Sequence, residues 1–183
     1  MNNKGLLIAM ALLVIVAGVS IYWFQRSSAL SPPDEKTLTS GGVTVSVRYS
    51  RPSVRGRLIF GPEEQNALQP YGKYWRLGAN KATEISFNRD ILFNERPVSA
   101  GTYRMYAIPG PDSFEIILNT QVGESGSNPP DEKNDVLRVS VPTQKISAPV
   151  EQFTISLAPQ GEGIQMVFEW SDVRFSIPLR AAN

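Results

Sequence analysis

Residues Ile164 to Leu179 read IQMVFEWSDVRFSIPL, and this stretch determines the fold class that the sequence predicts. Apolar residues occupy every second position on each side of a central Ser171-Asp172 pair. A period of two places the apolar side chains of a strand on one face of a sheet, and two such runs joined by a two-residue polar turn are typical of a β-hairpin. The stretch therefore predicts two antiparallel strands that share one buried face.

Similar short runs recur through the chain after Gly42. They lie at Val43–Ser50, Ile85–Phe87, Ile91–Phe93, Thr102–Ile108, Ser113–Leu118, Val136–Val141 and Phe153–Leu157. The chain also has 14 prolines and 14 glycines, which favour turns between strands. These features predict an all-β fold, an antiparallel β-sandwich or jelly-roll-like domain over residues 43–183. A mixed α+β domain would need helices, and only one turn near Glu63 to Leu68 has a helical pattern.

The N-terminal segment has a different composition. Gly5 to Phe24 is a run of twenty residues without a charged side chain. At about 1.5 Å per residue it reaches about 30 Å, the thickness of a bilayer core. The run predicts a transmembrane helix over about residues 5–24 within a signal anchor of residues 1–26, followed by a Ser/Pro/Gly-rich tether at residues 27–42. A cleaved signal peptide is the alternative, with Ser27 and Ala29 before the cut, although such apolar regions usually have about 7–15 residues.

The predicted helix would make the membrane a partner of the chain through Gly5 to Phe24. Basic residues on the two sides of the run are nearly balanced, with Lys4 before it and Arg26 and Lys36 after it. A four-residue tail before the helix is the usual form of a signal anchor. We therefore expect a single-pass membrane protein whose C-terminal domain lies outside the cytoplasm, in the periplasm or at the cell surface.

Cysteine and histidine are both absent from the 183 residues. The chain therefore cannot form a disulfide, a Ser-His-Asp or Cys-His nucleophile system, or the usual zinc sites. Catalysis would have to rely on carboxylates, Lys, Tyr or Arg. The sequence predicts no cofactor, no metal and no catalytic residues, and it favours a binding protein over an enzyme.

The candidate functional stretch is Tyr49 to Asn80, where cationic, aromatic, Gly and Pro residues occur together without strand or helix periodicity. From Arg48 to Lys81 the chain has seven basic and two acidic residues, although its formal net charge is +1. Guanidinium groups bind carboxylate, phosphate or sulfate in a bidentate way, and neighbouring aromatic rings stack on sugars. We predict a site for an anionic small molecule or glycan, formed by Arg51, Arg55, Arg57, Tyr71, Lys73, Tyr74, Trp75, Arg76 and Asn80. Because the positive charge is confined to this segment, no nucleic-acid partner is predicted.

Two other functions compete with binding. A structural module of the cell envelope, or an assembly module, also fits an anchored β-sandwich, with the arginines paired to strand acids. A carboxylate-based glycoside hydrolase would use Glu63 and Glu64, but carboxylates adjacent in sequence rarely face each other across a substrate. The acidic segment Thr120 to Asp135, which includes Glu124, lacks the pattern of a calcium loop and predicts a mobile surface loop.

Three motifs and the closing strands carry a family resemblance. YSRPSVRGRLIFG starts at Tyr49, YGKYWRLGAN at Tyr71 and SAGTYRMYAIPG at Ser99, and VFEWSDVRFSIPL follows at Val167. In this order and spacing they resemble the domain-of-unknown-function family 2911, a group of bacterial exported or membrane-anchored β-rich domains, over roughly Leu38 to Pro178. The resemblance implies an all-β domain outside the cytoplasm. It implies no activity and no catalytic residues.

Overall fold

The computed structural model describes residues 3–123 and 125–182, and it leaves out the side chains of residues 3–4, 6–7, 21 and 23–28. Met1, Asn2, Glu124 and Asn183, which belong to predicted segments, lie outside the described residues. The described chain forms one α-helix, two short 3₁₀ helices and twelve strands. The elements are α1 (Asn3–Leu30), β1 (Pro33–Ser40), β2 (Val43–Ser50), β3 (Phe60–Gly61), a 3₁₀ helix (Glu63–Gln65), β4 (Gln69–Pro70), β5 (Thr83–Phe87), β6 (Ile91–Phe93), β7 (Arg96–Val98), β8 (Gly101–Ile108), β9 (Ser113–Asn119), a 3₁₀ helix (Glu132–Asn134), β10 (Asp135–Pro142), β11 (Gln144–Gln160) and β12 (Gly163–Ala181).

The strands form two antiparallel sheets and one small pair. Six strands follow the order β1-β2-β5-β8-β9-β10, and four follow the order β11-β12-β6-β7. β3 and β4 pair in parallel within the connection between β2 and β5. The predicted architecture of antiparallel β-sheets is confirmed at this level.

The alternation of apolar residues explains how the two sheets share one core. The three valines between Val43 and Val47 in β2 are fully buried, whereas the residues between them are half-buried. Aromatic rings connect the sheets. The Tyr49 ring of β2 lies 5.6 Å from the Phe153 ring of β11, and Phe114 of β9 lies 5.3 Å from Phe175 of β12. The sheets therefore face each other across a common hydrophobic core.

Residues Ile164 to Leu179 lie in the single strand β12, which has 19 residues. The predicted hairpin at Ser171-Asp172 is therefore wrong. Ser171 has a φ of 54°, and the register between β11 and β12 shifts on both sides of the Val150↔Ser171 pair. The register shifts place the additional residues in β11, while the left-handed conformation of Ser171 offsets the alternation of β12 by one residue. The apolar residues before and after Ser171 therefore face the same core although their numbers change from even to odd.

Part of the predicted tether is a strand. β1 pairs with β2 over eight residues, from Pro33↔Ser50 to Ser40↔Val43. Its residues are half-buried or exposed because β1 is the edge strand of the six-stranded sheet. An edge strand of this kind has polar side chains and no apolar alternation, and these properties resemble those of a linker.

α1 carries large apolar side chains that are at least half exposed, among them Ile8, Leu13 and Val19. In the part of the chain that the structure describes, no helix is both long and apolar enough to cross a membrane. This finding does not confirm the transmembrane helix predicted over Gly5 to Phe24.

Candidate functional site

The connection between β2 and β5 contributes part of the core. Trp75 is only 2% exposed, and its ring stacks on Trp170 with a centroid distance of 5.8 Å and an interplanar angle of 22°. The Trp75 backbone exchanges two hydrogen bonds of 2.8 Å with Ala107. Trp75 was predicted to contact a ligand, but its burial makes it a core residue that holds the connection against the sheets.

Four of the nine predicted residues line one cavity of about 320 Å³, which we call the arginine cavity. They are Arg55, Arg57, Arg76 and Asn80. The other lining residues are Leu30, Ser31, Pro52, Ser53, Leu68, Gln69, Gly78, Ala79 and Trp170. The lining thus contains three cations and no carboxylate. The field in such a cavity favours an anion.

Arg57 and Arg76 are held by backbone carbonyl groups. Arg57 donates from Nη2 to the Ser53 carbonyl at 2.6 Å and from Nε to the Val54 carbonyl at 3.0 Å. Arg76 donates from Nη1 to the Asn80 carbonyl at 3.1 Å. These bonds fix the side chains but leave their positive charges without a carboxylate partner among the described residues. A guanidinium group has five N–H donors, so several remain for a ligand.

Arg55 lines the same cavity, and its backbone conformation is left-handed. Its φ of 52° lies in the left-handed region, and its backbone N–H donates to the Glu151 carboxylate at 3.0 Å. Its Nη2 donates to the Leu30 carbonyl at 3.2 Å. Within the described residues, the Arg55 guanidinium also forms no ion pair. Three uncompensated like charges therefore share one concavity.

The backbone behind the cavity is unusual between Leu77 and Asn80. Both of these residues have positive φ, 51° and 61°, although Leu77 is fully buried. Gly78 has a φ of 149°, and a Cβ at this position would lie 2.7 Å from the Ser50 carbonyl oxygen. Such conformations cost energy and concentrate at functional sites. This turn brings Arg76 and Asn80 to the same cavity.

Trp170 belongs to the lining of the arginine cavity and is also a core residue. Its side chain is 1% exposed, and its indole Nε1 has no hydrogen-bond partner among the described residues. A buried N–H without an acceptor is costly, and it is rare in native structures. The indole Nε1 of Trp75, which does not line the cavity, is also buried without a partner among the described residues.

Arg51 and Lys73 do not line the arginine cavity. Arg51 donates to the Phe153 carbonyl at 3.2 Å and to the Thr154 hydroxyl at 3.0 Å, and its Nε lies 3.7 Å from the Asp34 carboxylate. Arg51 thus connects the two sheets. Lys73 forms an exposed ion pair of 3.1 Å with Glu63.

Tyr71 and Tyr74 are also outside this cavity. Tyr71 packs against the core, and Tyr74 donates its hydroxyl hydrogen to the Gly126 carbonyl at 3.1 Å. The Tyr74 hydroxyl accepts a hydrogen bond from Arg104, whose guanidinium lies 5.7 Å from the centre of the Tyr74 ring. Tyr74 therefore contacts the connection between β9 and β10 and has a structural role.

Arg104 is the important polar residue that the sequence analysis missed. It is 1% exposed, and it lies in β8 within a run of five buried residues from Tyr103 to Ala107. Its Nη2 also donates to the Asn128 carbonyl at 2.5 Å. The connection between β9 and β10, predicted to be mobile, is thereby fastened to the outer face of the sheet, and Asn119 adds a bond to the Asp131 carbonyl at 2.9 Å. In the sequence, Arg104 is only a single cation within a predicted strand, and such a residue does not by itself indicate burial or function.

A second concavity, of about 550 Å³, lies along β1, β2 and β5 and has a mixed charge. Its lining includes Asp34, Arg48, Tyr49, Lys81 and Glu84. Burial acts to raise the pKa of the Asp34 carboxyl, but the hydrogen bond and charge of Lys36 outweigh it, so the pKa of Asp34 is lowered. Arg48 and Glu84 neutralise each other in an ion pair of 2.8 Å. This concavity is larger, but its lining contains the carboxylates of Asp34, Glu35 and Glu84 beside its cations, so it attracts an anion less than the arginine cavity does.

The two glutamates of the hydrolase alternative lie apart from the arginine cavity. Glu63 and Glu64 are exposed on the first 3₁₀ helix, and Glu63 is paired with Lys73. Across residues 3–123 and 125–182, no group of three or more Asp and Glu side chains is placed to hold a metal ion. The chemistry that the arginine cavity supports is therefore the binding of an anion through guanidinium donors.

Comparisons with known proteins bear on the family. A family model described as "Protein of unknown function (DUF2911)" matches residues 31–179. No curated protein and no solved structure matched the chain. The family match begins just before β1 and covers most of the two sheets and nearly all of the arginine cavity's lining. The three motifs and the family model agree, and the chain belongs to the DUF2911 family.

Proposed function

We propose that this protein is a non-catalytic binding module for an anionic small molecule or glycan, and that the ligand occupies the arginine cavity. The observation that carries the proposal is the convergence of Arg55, Arg57 and Arg76 on one cavity whose lining has no carboxylate. Like charges held close together repel each other, and a bound anion offsets this repulsion. Asn80 lies in the same lining, and its amide holds the Ser31 carbonyl at the edge of the cavity.

The membrane anchor and the location outside the cytoplasm remain part of this proposal as predictions. Their support is the apolar N-terminal run and the exposure of its described side chains, such as the 69% exposure of Leu13. A contiguous exposed apolar surface is unfavourable in water and is typical of segments that contact a membrane or a partner. Retention of the full-length chain in the membrane fraction after an alkaline carbonate wash is the expected result. Release into the supernatant would contradict the anchor.

Thermal unfolding with a set of anions tests the binding proposal. Inorganic phosphate, glucuronate and galactose sulfate are added in turn, and the melting temperature is followed by tryptophan fluorescence. An anion at about ten times its Kd adds about 1.4 kcal/mol to the stability, which raises the melting temperature by about 3–6 °C in a domain of this size. The shift should decrease as salt is added, because salt screens the charges of a solvent-accessible site.

Two variants assign the effect to the arginine cavity. Arg76→Gln removes one of its cations and should reduce the anion-dependent shift without a large change in the melting temperature of the ligand-free protein. Arg96→Gln is the matched control, because Arg96 is exposed in β7 and is not part of the lining. If no anion shifts the melting temperature, the proposal is wrong and the structural envelope module becomes the better hypothesis.

A further inference from the structure

The end of α1 forms one wall of the arginine cavity. Leu30 closes the helix, and both Leu30 and Ser31 belong to the lining. Two predicted site residues hold this wall in place, because Arg55 donates to the Leu30 carbonyl at 3.2 Å and Asn80 donates from Nδ2 to the Ser31 carbonyl at 3.3 Å. A helix with exposed apolar side chains therefore leads directly into a cavity lined by cations.

Exposed apolar side chains from both α1 and the β2–β5 connection lie at the arginine cavity. Leu30 and Leu68 belong to the lining and are 39% and 37% exposed. Leu58 is 46% exposed, and its carbonyl accepts a 2.9 Å hydrogen bond from the Leu68 backbone N–H, which places the two leucines on neighbouring chain segments. Among the described residues after Leu30, the large apolar residues with comparable exposure are Leu58, Leu68, Val122 and Val136. Two of these exposed leucines, Leu30 and Leu68, thus lie in the same lining as the three arginines.

This combination of groups matches an amphiphile with an anionic head. We infer that the arginine cavity binds the phosphate headgroup of an anionic phospholipid, with Leu30, Leu58 and Leu68 against the first part of its acyl chains. The inference rests on the proposed function and names the ligand class of the same site. A polar anion alone would leave the three leucines in water, whereas a lipid would cover them.

The donor set favours phosphate as the head of this ligand. Arg55, Arg57 and Arg76 each have guanidinium N–H groups beyond those bound to backbone carbonyls. Phosphate offers more acceptor oxygens than a carboxylate, and arginine binds it through two parallel hydrogen bonds. Cationic clusters beside apolar helices bind the anionic headgroups of membranes for the same reason.

Three probes separate a lipid from a free phosphate ester. The full-length chain in a neutral detergent is titrated with glycerol phosphate, dioctanoyl phosphatidic acid and dioctanoyl phosphatidylcholine. Glycerol phosphate supplies the phosphate alone, and phosphatidylcholine supplies the same acyl chains on a zwitterionic head. The readouts are the melting temperature and the fluorescence of tryptophan, since Trp170 lines the cavity.

Phosphatidic acid should stabilise the wild-type chain at a concentration about tenfold lower than glycerol phosphate requires, which corresponds to about 1.4 kcal/mol. Phosphatidylcholine should have little effect. Arg55→Gln and Arg76→Gln should each weaken the response to phosphatidic acid, and Arg96→Gln should preserve it. The comparison of the three probes uses the wild-type chain, so it remains decisive if a variant does not fold.

Each contrary result has a defined meaning. If glycerol phosphate acts at the same concentration as phosphatidic acid, the lipid inference is overturned while the anion-binding function stands. If phosphatidylcholine stabilises as well as phosphatidic acid, the acyl chains act without the cavity, and the inference is also overturned. If no phosphate compound has any effect, including inorganic phosphate, the lipid inference fails, and the proposed function fails with it only if glucuronate and galactose sulfate also have no effect.

Discussion

Arg104 places a cation inside the protein and joins two separate parts of the chain. Its Nη2 donates to the Tyr74 hydroxyl and to the Asn128 carbonyl, both at 2.5 Å. A buried cation needs such bonds because it has lost its water shell. The covering segments explain why both faces of β8 are buried from Tyr103 to Ala107.

Arg104→Ala should lower the free energy of unfolding by about 3 kcal/mol. The change leaves a void and leaves the Tyr74 hydroxyl and the Asn128 carbonyl without the hydrogen bonds that Arg104 donates. Arg138→Ala is the matched control. Arg138 is 41% exposed in its ion pair with Glu115, so its loss should cost about 1 kcal/mol or less. Urea unfolding of both variants measures the difference. Equal effects would show that the Arg104 contacts contribute no more than an exposed ion pair.

The buried hydroxyl of Tyr49 makes the free energy of unfolding depend on pH in the alkaline range. Its hydroxyl donates to the Ile155 carbonyl and accepts from the Ile155 N–H at 3.0 Å, and burial, together with the Asp34 carboxylate, raises the pKa of Tyr49 to about 12. An unfolded tyrosine ionises near pH 10, so its contribution is complete below about pH 10 and is lost as the pH rises toward 12. The pKa of Tyr106 is also raised, by burial and by the hydrogen bond to the Asp135 carboxylate. Urea unfolding between these pH values should show a decline that is less steep in Tyr49→Phe. A decline of the same steepness in the variant would contradict this assignment.

At the scale of elements, Ser171 allows both halves of β12 to face the core. Its φ of 54° is unfavourable for a side chain branched at Cβ. Ser171→Val should therefore lower the free energy of unfolding by about 1–2 kcal/mol, whereas Ser171→Gly should be neutral or slightly stabilising. Denaturant unfolding of the two variants checks this order. If valine is tolerated as well as glycine, the bulge does not depend on the conformation of Ser171.

The strands that the sequence predicted best are those with one buried and one polar face. β2 has the predicted bounds, Val43–Ser50, because its alternation reports the face packed on the core. β1 and the first part of β11 have no such alternation of apolar residues, since none of their side chains is fully buried. The error at Ser171 has another cause. A polar two-residue interruption fits a tight turn or a bulge, and only the pairing with the distant strand β11 distinguishes them.

The candidate site was predictable in composition and not in geometry. The sequence showed a local excess of cations, but the backbone decides that Arg55, Arg57 and Arg76 share a cavity while Arg51 joins the sheets. Trp75 shows the same limit, because an aromatic residue in an irregular segment fits a ligand site and a core plug equally well. These distinctions depend on contacts between residues far apart in sequence.

At the scale of the whole molecule, the segment before Val43 connects the sheets and the arginine cavity. The Arg51 backbone N–H donates to the Pro32 carbonyl at 2.9 Å, and an oxygen of the Asp34 carboxylate lies 3.2 Å from the Tyr49 hydroxyl. Ser31 lines the arginine cavity. These contacts place the start of the folded unit near residue 31, where the family match also begins.

A chain of residues 31–183 should therefore be more stable than a chain of residues 43–183. Removal of β1 takes away its eight-residue pairing with β2 and leaves β2, with its three buried valines, as the edge of the six-stranded sheet. An apolar strand at a sheet edge is a template for pairing with other chains, so the shorter chain should unfold at lower urea and associate with itself. Urea midpoints and light scattering compare the two chains. Equal midpoints with both chains monomeric would show that β1 is dispensable and that the fold begins at Val43.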